Sequence, residues 1–226
     1  MPVNTGKLEK YTRNFEFGGE NLMEKVVIKY SKIFKNALLA NDILDVDERV
    51  ESYKHRLRQM YNSKAFATHN VYPTMDVVKV YAVIAMCLEL KQDDYSDREI
   101  IDIVNSGFAK LRKAFMLLER VIDSLPFAYQ IAKKWNIADH ENRVKDGSII
   151  YDYFNVSDNK IEYRISKCMY VEMFEHYGIR SLCKIFCITD ETAYSNLTNH
   201  VKFVRHSDLS CGDCCHDEVI DKKHLS

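Results

Sequence analysis

Side chains able to do chemistry crowd into the last third of the chain: Cys168, Cys183, Cys187, Asp190, His200, Arg205, His206, Asp208, Cys211, Asp213, Cys214, Cys215 and His216. Cys183 and Cys187 are four residues apart and Asp190 follows three later, so on a helix Cys187 and Asp190 look into the same space. A thiol beside a carboxylate is the raw material of nucleophilic or acid–base catalysis. The bland reading of the same residues makes both cysteines small core hydrophobes and Asp190 a surface or capping carboxylate.

The run Cys211-Gly212-Asp213-Cys214-Cys215-His216 offers thiolates and an imidazole, the usual ligands of zinc, with a two-residue gap between Cys211 and Cys214. A structural zinc site takes two separated pairs of ligands, and the second pair would have to be improvised from His200, His206 or Cys187. No metal ligand is therefore assigned and no cofactor is expected, with zinc kept as the alternative. The run also reads as a tight turn, Gly212 taking a positive backbone angle and Asp213 bonding the turn amides. A Gly-rich phosphate loop, a nucleophile elbow and a His-Glu-x-x-His helix are all absent.

The elements that must position these residues follow from periodicity. Few breakers interrupt the chain, seven Gly and three Pro, and helical spacing dominates its first two thirds. A first helix is predicted from about Glu20 to Leu39 with Leu22, Val26, Ile33 and Ala37 on one stripe. A second, capped by Asp45 or Asp47, carries Val50, Leu57 and Met60. Pro73 opens a third, with Val77, Val80, Ile84 and Leu88 as its buried row. Ser96 and Glu99 fit a capping box that starts a long helix through Leu125, with Ile103, Phe108, Leu111, Phe115, Leu118 and Ile122 as a continuous apolar face. A shorter helix is predicted from Phe127 to about Ile137. Near Gly147 the period changes to alternation, predicting strands at Ile150–Val156 and Ile161–Ile165 around the turn at Ser157-Asp158-Asn159. Helices are predicted at Met169–Tyr177, ended by Gly178, and at Leu182–Leu197, followed by strands at Val201–His206 and Glu218–Ile220.

The resulting expectation is one α+β domain over residues 1–226: residues 1–19 loosely ordered, a helical part over 20–146, and a part over 147–226 holding a small antiparallel sheet, C-terminal helices and the candidate site. Hydrophobic residues at 46% of the chain are enough for a core. With 32 basic against 33 acidic residues, the electrostatic footprint of a nucleic-acid binder is missing. Tyr151, Tyr153 and Phe154 are accordingly packing residues rather than a base-stacking platform. The start of the chain lacks the apolar run of a secretory signal, and Val77–Leu90 is too short to span a bilayer, so no membrane partner is expected. Seven Cys in such a chain read as reduced thiols in a cytoplasmic setting. The apolar helical layer makes self-association an expectation as well.

The order Cys168, Gly178, Leu182, Phe186-Cys187, Asp190, Phe203, Arg205, Leu209, Gly212-Asp213, Cys215 and Asp217 resembles the L-2-amino-thiazoline-4-carboxylic acid hydrolase family. The chain departs from that pattern at His216, where the family usually has Cys, and at Glu218, where it has an aromatic residue. The resemblance implies a hydrolase that opens a small cyclic isothiourea bearing a carboxylate. On it, Asp190 or His216 is the expected base, Arg205 the carboxylate clamp, and Cys187 a covalent nucleophile or polar wall. Asp213, Cys215 and Cys168 are expected substrate-binding residues. The Gly-Asp-x-x-Cys element is also similar to 4-vinyl reductase-type ligand-sensing domains, which implies two alternatives: a non-catalytic small-molecule-binding module, or a biosynthetic member acting on another heterocycle. A sensor is expected to carry an output domain, and none is read before Ser226.

Overall fold

The computed structural model describes residues 15–224, from the first helix to the turn that follows the last strand. Of the segment expected to be loosely ordered, residues 1–14 lie outside the described residues, whereas Phe15 already belongs to helix α1 (Phe15–Ala40). Val26, Val27, Tyr30, Ile33, Phe34, Ala37 and Leu38 recur at helical spacing on α1 and are buried, a wider stripe than predicted. α2 (Val46–Tyr61) starts after Asp45, which holds the cap position in a left-handed conformation without forming a capping bond. A short helix that periodicity does not reveal, α3 (Lys64–His69), is capped by the Ser63 hydroxyl accepting from the Phe66 amide.

α4 (Thr74–Leu90) enters behind Pro73 and is buried on nearly all sides, which makes it the central post of the bundle. α5 (Asp97–Gly107) begins with the complete capping box of Ser96 and Glu99. The single long helix expected through Leu125 is broken at Phe108, and the chain continues as α6 (Ala109–Asp123). Gly107 explains the break. A Cβ there would lie 2.6 Å from the Ile33 carbonyl oxygen, so α5 and α1 approach to backbone contact and the chain bends away directly afterwards. Leu111, Phe115 and Leu118 consequently stand exposed instead of completing the predicted apolar face.

α7 (Ala128–Asp146) runs well past the expected Ile137 and ends at Gly147, which takes a positive φ of 71°. Beyond it lie β1 (Ile149–Val156), β2 (Lys160–Cys168), α8 (Met169–His176), a 3-10 turn at Arg180–Cys183, α9 (Lys184–Tyr194), β3 (Val201–Ser207) and β4 (Cys215–Asp221). The four strands form one antiparallel sheet in the order β1-β2-β4-β3. The class is α+β, as the change of period near Gly147 implies. α7 packs on β1, β3 and β4, α8 on β2, and α9 on β3, so that these helices lie on the inner face of the sheet.

Two apolar clusters result. The larger joins α1 to α5 with α8 and the inner end of the sheet; the smaller gathers Ile122, Tyr129, Ile161, Leu197, Val201 and Val219 at its other end. No helix among the described residues is long and apolar enough to cross a membrane.

Candidate active site

A cavity of about 460 Å³ opens between the two apolar clusters, floored by the inner face of the sheet and walled by α7, α8 and α9. That volume suits a small organic molecule. Cys168, Cys187, Asp190, Arg205 and Cys215 all line it. The helical spacing that puts Cys187 and Asp190 on one side of α9 therefore turns that side toward the sheet. Tyr151, Phe154, Tyr163, Tyr170 and Tyr194 add aromatic walls.

The electrostatic centre is an ion pair between neighbouring strands. Arg205 on β3 pairs across the ladder with Asp217 on β4, donating from Nε to Oδ1 and from Nη2 to Oδ2, both at 2.9 Å. The Asp217 side chain is 1% exposed, and it also accepts from the Tyr163 hydroxyl at 3.2 Å and the Cys215 thiol at 3.3 Å. Its acceptor capacity is thus met by four donors, as a buried carboxylate requires. Arg205 gives its remaining N–H groups to the Cys187 carbonyl at 2.8 Å, to Glu191 at 3.2 Å and to Asp190 at 3.4 Å. All its N–H groups are engaged within the protein, and Arg205 ties the carboxylates of α9 to the sheet.

Asp190 is the carboxylate of α9 that faces the cavity. Its side chain lines the cavity with 60% of its surface accessible. Burial pushes its carboxyl up to about 6, against the opposing pull of Arg205. Cys187 moves the other way: the neighbouring Cys183 thiol, one turn back, and the charge of Arg205 hold it below the usual thiol range against the cost of burial. Burial pushes the Cys168 thiol up to about 11, and burial with the adjacent Asp217 pushes Cys215 higher still. Cys187 is thus shifted downward, whereas its cavity neighbours Cys168, Cys183 and Cys215 are shifted upward.

Two expected site residues lie elsewhere. Along β4, Cys215, Asp217, Val219 and Asp221 turn inward while His216, Glu218 and Ile220 turn outward, so strand alternation carries His216 to the far face of the sheet. There its Nε2 lies 3.2 Å from Glu162 and its ring stacks on His206, outside the cavity lining. Asp213 stands exposed at the tip of the loop between β3 and β4 and does not organise it. The loop is held by Asp208, whose carboxylate accepts from the Ser210 amide and hydroxyl, and by Arg180, which donates to the Leu209 and Gly212 carbonyls. Gly212 is not in the positive-φ region. It is small because a Cβ would lie 3.1 Å from the Asp208 carbonyl oxygen, to which its own amide donates. Nor do Cys211 and Cys214 form a metal cluster with His216. All seven cysteines are free thiols.

Sequence reasoning missed Arg143 and Asp139 on α7, which line the cavity with Asn136. Arg143 donates from Nη1 to Asp76 at 3.0 Å, lies 3.4 Å from Asp139 through Nε, and places its guanidinium 5.9 Å from the centre of the Tyr170 ring. Its Nη2 has no hydrogen-bond partner among the described residues. The signal was present: Asn136, Asp139 and Arg143 are spaced three and four apart, one face of a helix carried on to Gly147.

Residues 79–217, more than half of the chain and including every cavity residue named above, match the family described as L-2-amino-thiazoline-4-carboxylic acid hydrolase. No curated protein matches the chain.

Proposed function

Because this chain belongs to the L-2-amino-thiazoline-4-carboxylic acid hydrolase family, we propose that it is a hydrolase opening a small sulfur- and nitrogen-containing heterocycle, with the α9–sheet cavity as its active site. One observation carries the reading: Cys187 and Asp190 share a substrate-sized hollow with a fully bonded Arg205–Asp217 pair. The ring of L-2-amino-thiazoline-4-carboxylate stacks on the tyrosines, and its carboxylate takes the free Nη2 of Arg143. Asp190, largely ionised at neutral pH, accepts a proton from water as the water oxygen bonds to the carbon between sulfur and nitrogen. As the carbon–sulfur bond breaks, the hydroxyl proton left on that carbon passes to the ring nitrogen, Asp190 returns its proton to the departing sulfur, and N-carbamoyl-L-cysteine leaves with one water added to the substrate. A covalent route uses the same layout: the Cys187 thiolate adds to that carbon, the ring sulfur departs, and Asp190 activates the water that releases the product.

The test is an incubation with L-2-amino-thiazoline-4-carboxylate and titration of released thiol against a no-substrate blank. Thiol release that disappears in Asp190→Asn is expected; wild-type protein giving none would remove this substrate. Mass spectrometry of stalled reactions separates the two routes, since a substrate-derived mass on Cys187 marks the covalent one and its absence the direct one.

A further inference from the structure

The outer face of the sheet holds a polar cluster that the cavity does not use. His206, His216 and Glu218 form the only grouping of three or more His, Cys, Asp or Glu among the described residues whose ligand atoms all lie within 4.8 Å of one another. The two imidazoles stack with centres 4.6 Å apart, and His206 Nε2 is 3.7 Å from Glu218 Oε1. A second carboxylate borders the group, Glu162, with Oε1 3.2 Å from His216 Nε2 and accepting from the Tyr153 hydroxyl at 3.2 Å. The Lys160 ammonium sits between the two carboxylates, 2.7 Å from Glu162 and 3.4 Å from Glu218. The fold thus already places a cation at this spot.

The local backbone accounts for the convergence. Arg205 pairs with Asp217, but the next partners are Ser207 and His216, so His206 is the extra residue of a β-bulge. Its side chain stays on the outer face beside both His216 and Glu218 instead of pairing with one of them. Two imidazole nitrogens and two carboxylates form the mixed N/O donor set that zinc-like ions take. With bonds of about 2.0–2.2 Å, a tetrahedral ion needs its ligand atoms roughly 3.4 Å apart. Modest rotations of side chains at the solvent face reach that spacing.

We propose that His206, His216 and Glu218, with Glu162 as the fourth ligand, bind a divalent transition-metal ion of the zinc class, which displaces Lys160 as the cation between the carboxylates. The ion would staple β3 to β4 at the bulge. Directly behind it, on the inner face, lie Arg205 and Asp217, so the site is a metal-responsive clamp on the strands that hold the cavity's ion pair.

Zinc and cobalt titrations of the full chain under reducing conditions test this. Expected are one bound ion per chain, a cobalt spectrum of four-coordinate nitrogen/oxygen type without a thiolate charge-transfer band, and an unfolding midpoint that rises with zinc. The His206→Ala/His216→Ala variant is expected to bind roughly tenfold more weakly or worse and to lose the zinc-dependent shift. Its metal-free midpoint, measured alongside, shows that it folds, and His206→Gln serves if the double variant does not. A Cys211→Ser/Cys214→Ser variant is expected to bind as the wild type does. A thiolate band, binding lost in the cysteine variant but kept in the histidine variant, or no zinc uptake at all would each overturn the proposal.

Discussion

Alternate residues of one strand live in different worlds. Cys215 and Asp217 face the cavity, where Asp217 is bonded by Arg205, Tyr163 and Cys215. His216 and Glu218, each one residue further along, lie against other charged side chains at the solvent face. The contrast teaches that residue type says little without the side to which it is turned. An imidazole in the C-terminal cluster looks like a catalytic base until the two-residue period of β4 carries it through to the back of the sheet.

The comparison can be broken most forcefully from the inside. Asp217→Asn leaves the Arg205 guanidinium, 10% exposed, without its bidentate partner, and the loss is expected to be about 3 kcal/mol or more, read from urea unfolding. An equally large loss for Glu218→Gln on the outer face would erase the distinction. Next in size is Asp190→Asn, expected to cut turnover roughly 100-fold or more with the helical signal unchanged. In the wild type the working form is the ionised carboxylate. Because burial raises its pKa to about 6, activity should be present above that value and fall away as pH drops through it. A rate that stays flat to pH 4.5 would remove Asp190 as the base.

Smaller effects sharpen the picture. Arg143→Met is expected to raise KM about tenfold or more while changing kcat little, since the lost contact is made equally by bound substrate and transition state. The smallest effect is expected at His216→Ala: turnover within about twofold of wild type and metal-free stability within about 0.5 kcal/mol, as for an ordinary surface substitution. A large loss of turnover there would return His216 to the chemistry.

Legibility in the sequence tracked how local each signal is. The capping box at Ser96 and Glu99 is complete within four residues, and the structure holds it as read. α7 was cut short because its second half, from Asp139 to Asp146, is almost wholly polar and shows no apolar period, and with it went Arg143. Alternation alone predicts β4 only from Glu218, outside which the facing of Cys215, His216 and Asp217 is undefined; the strand in fact starts at Cys215, which sorts them. The bulge at His206 and the contact of Gly107 with Ile33 depend on partners distant in sequence, and no window along the chain contains both halves.

That last contact reaches further than its size suggests. The bend at Phe108 sends α6 out of the bundle, and Glu119 on that helix borders the cavity, donated to by Asn196 at 2.8 Å. A methyl group added at Gly107 would meet the α1 backbone at 2.6 Å and prise α5 off it, swinging the far end of the arm like a door on its hinge pin. The absence of a side chain at Gly107 thereby bears on where Glu119, one wall of a chamber built from other elements, comes to stand.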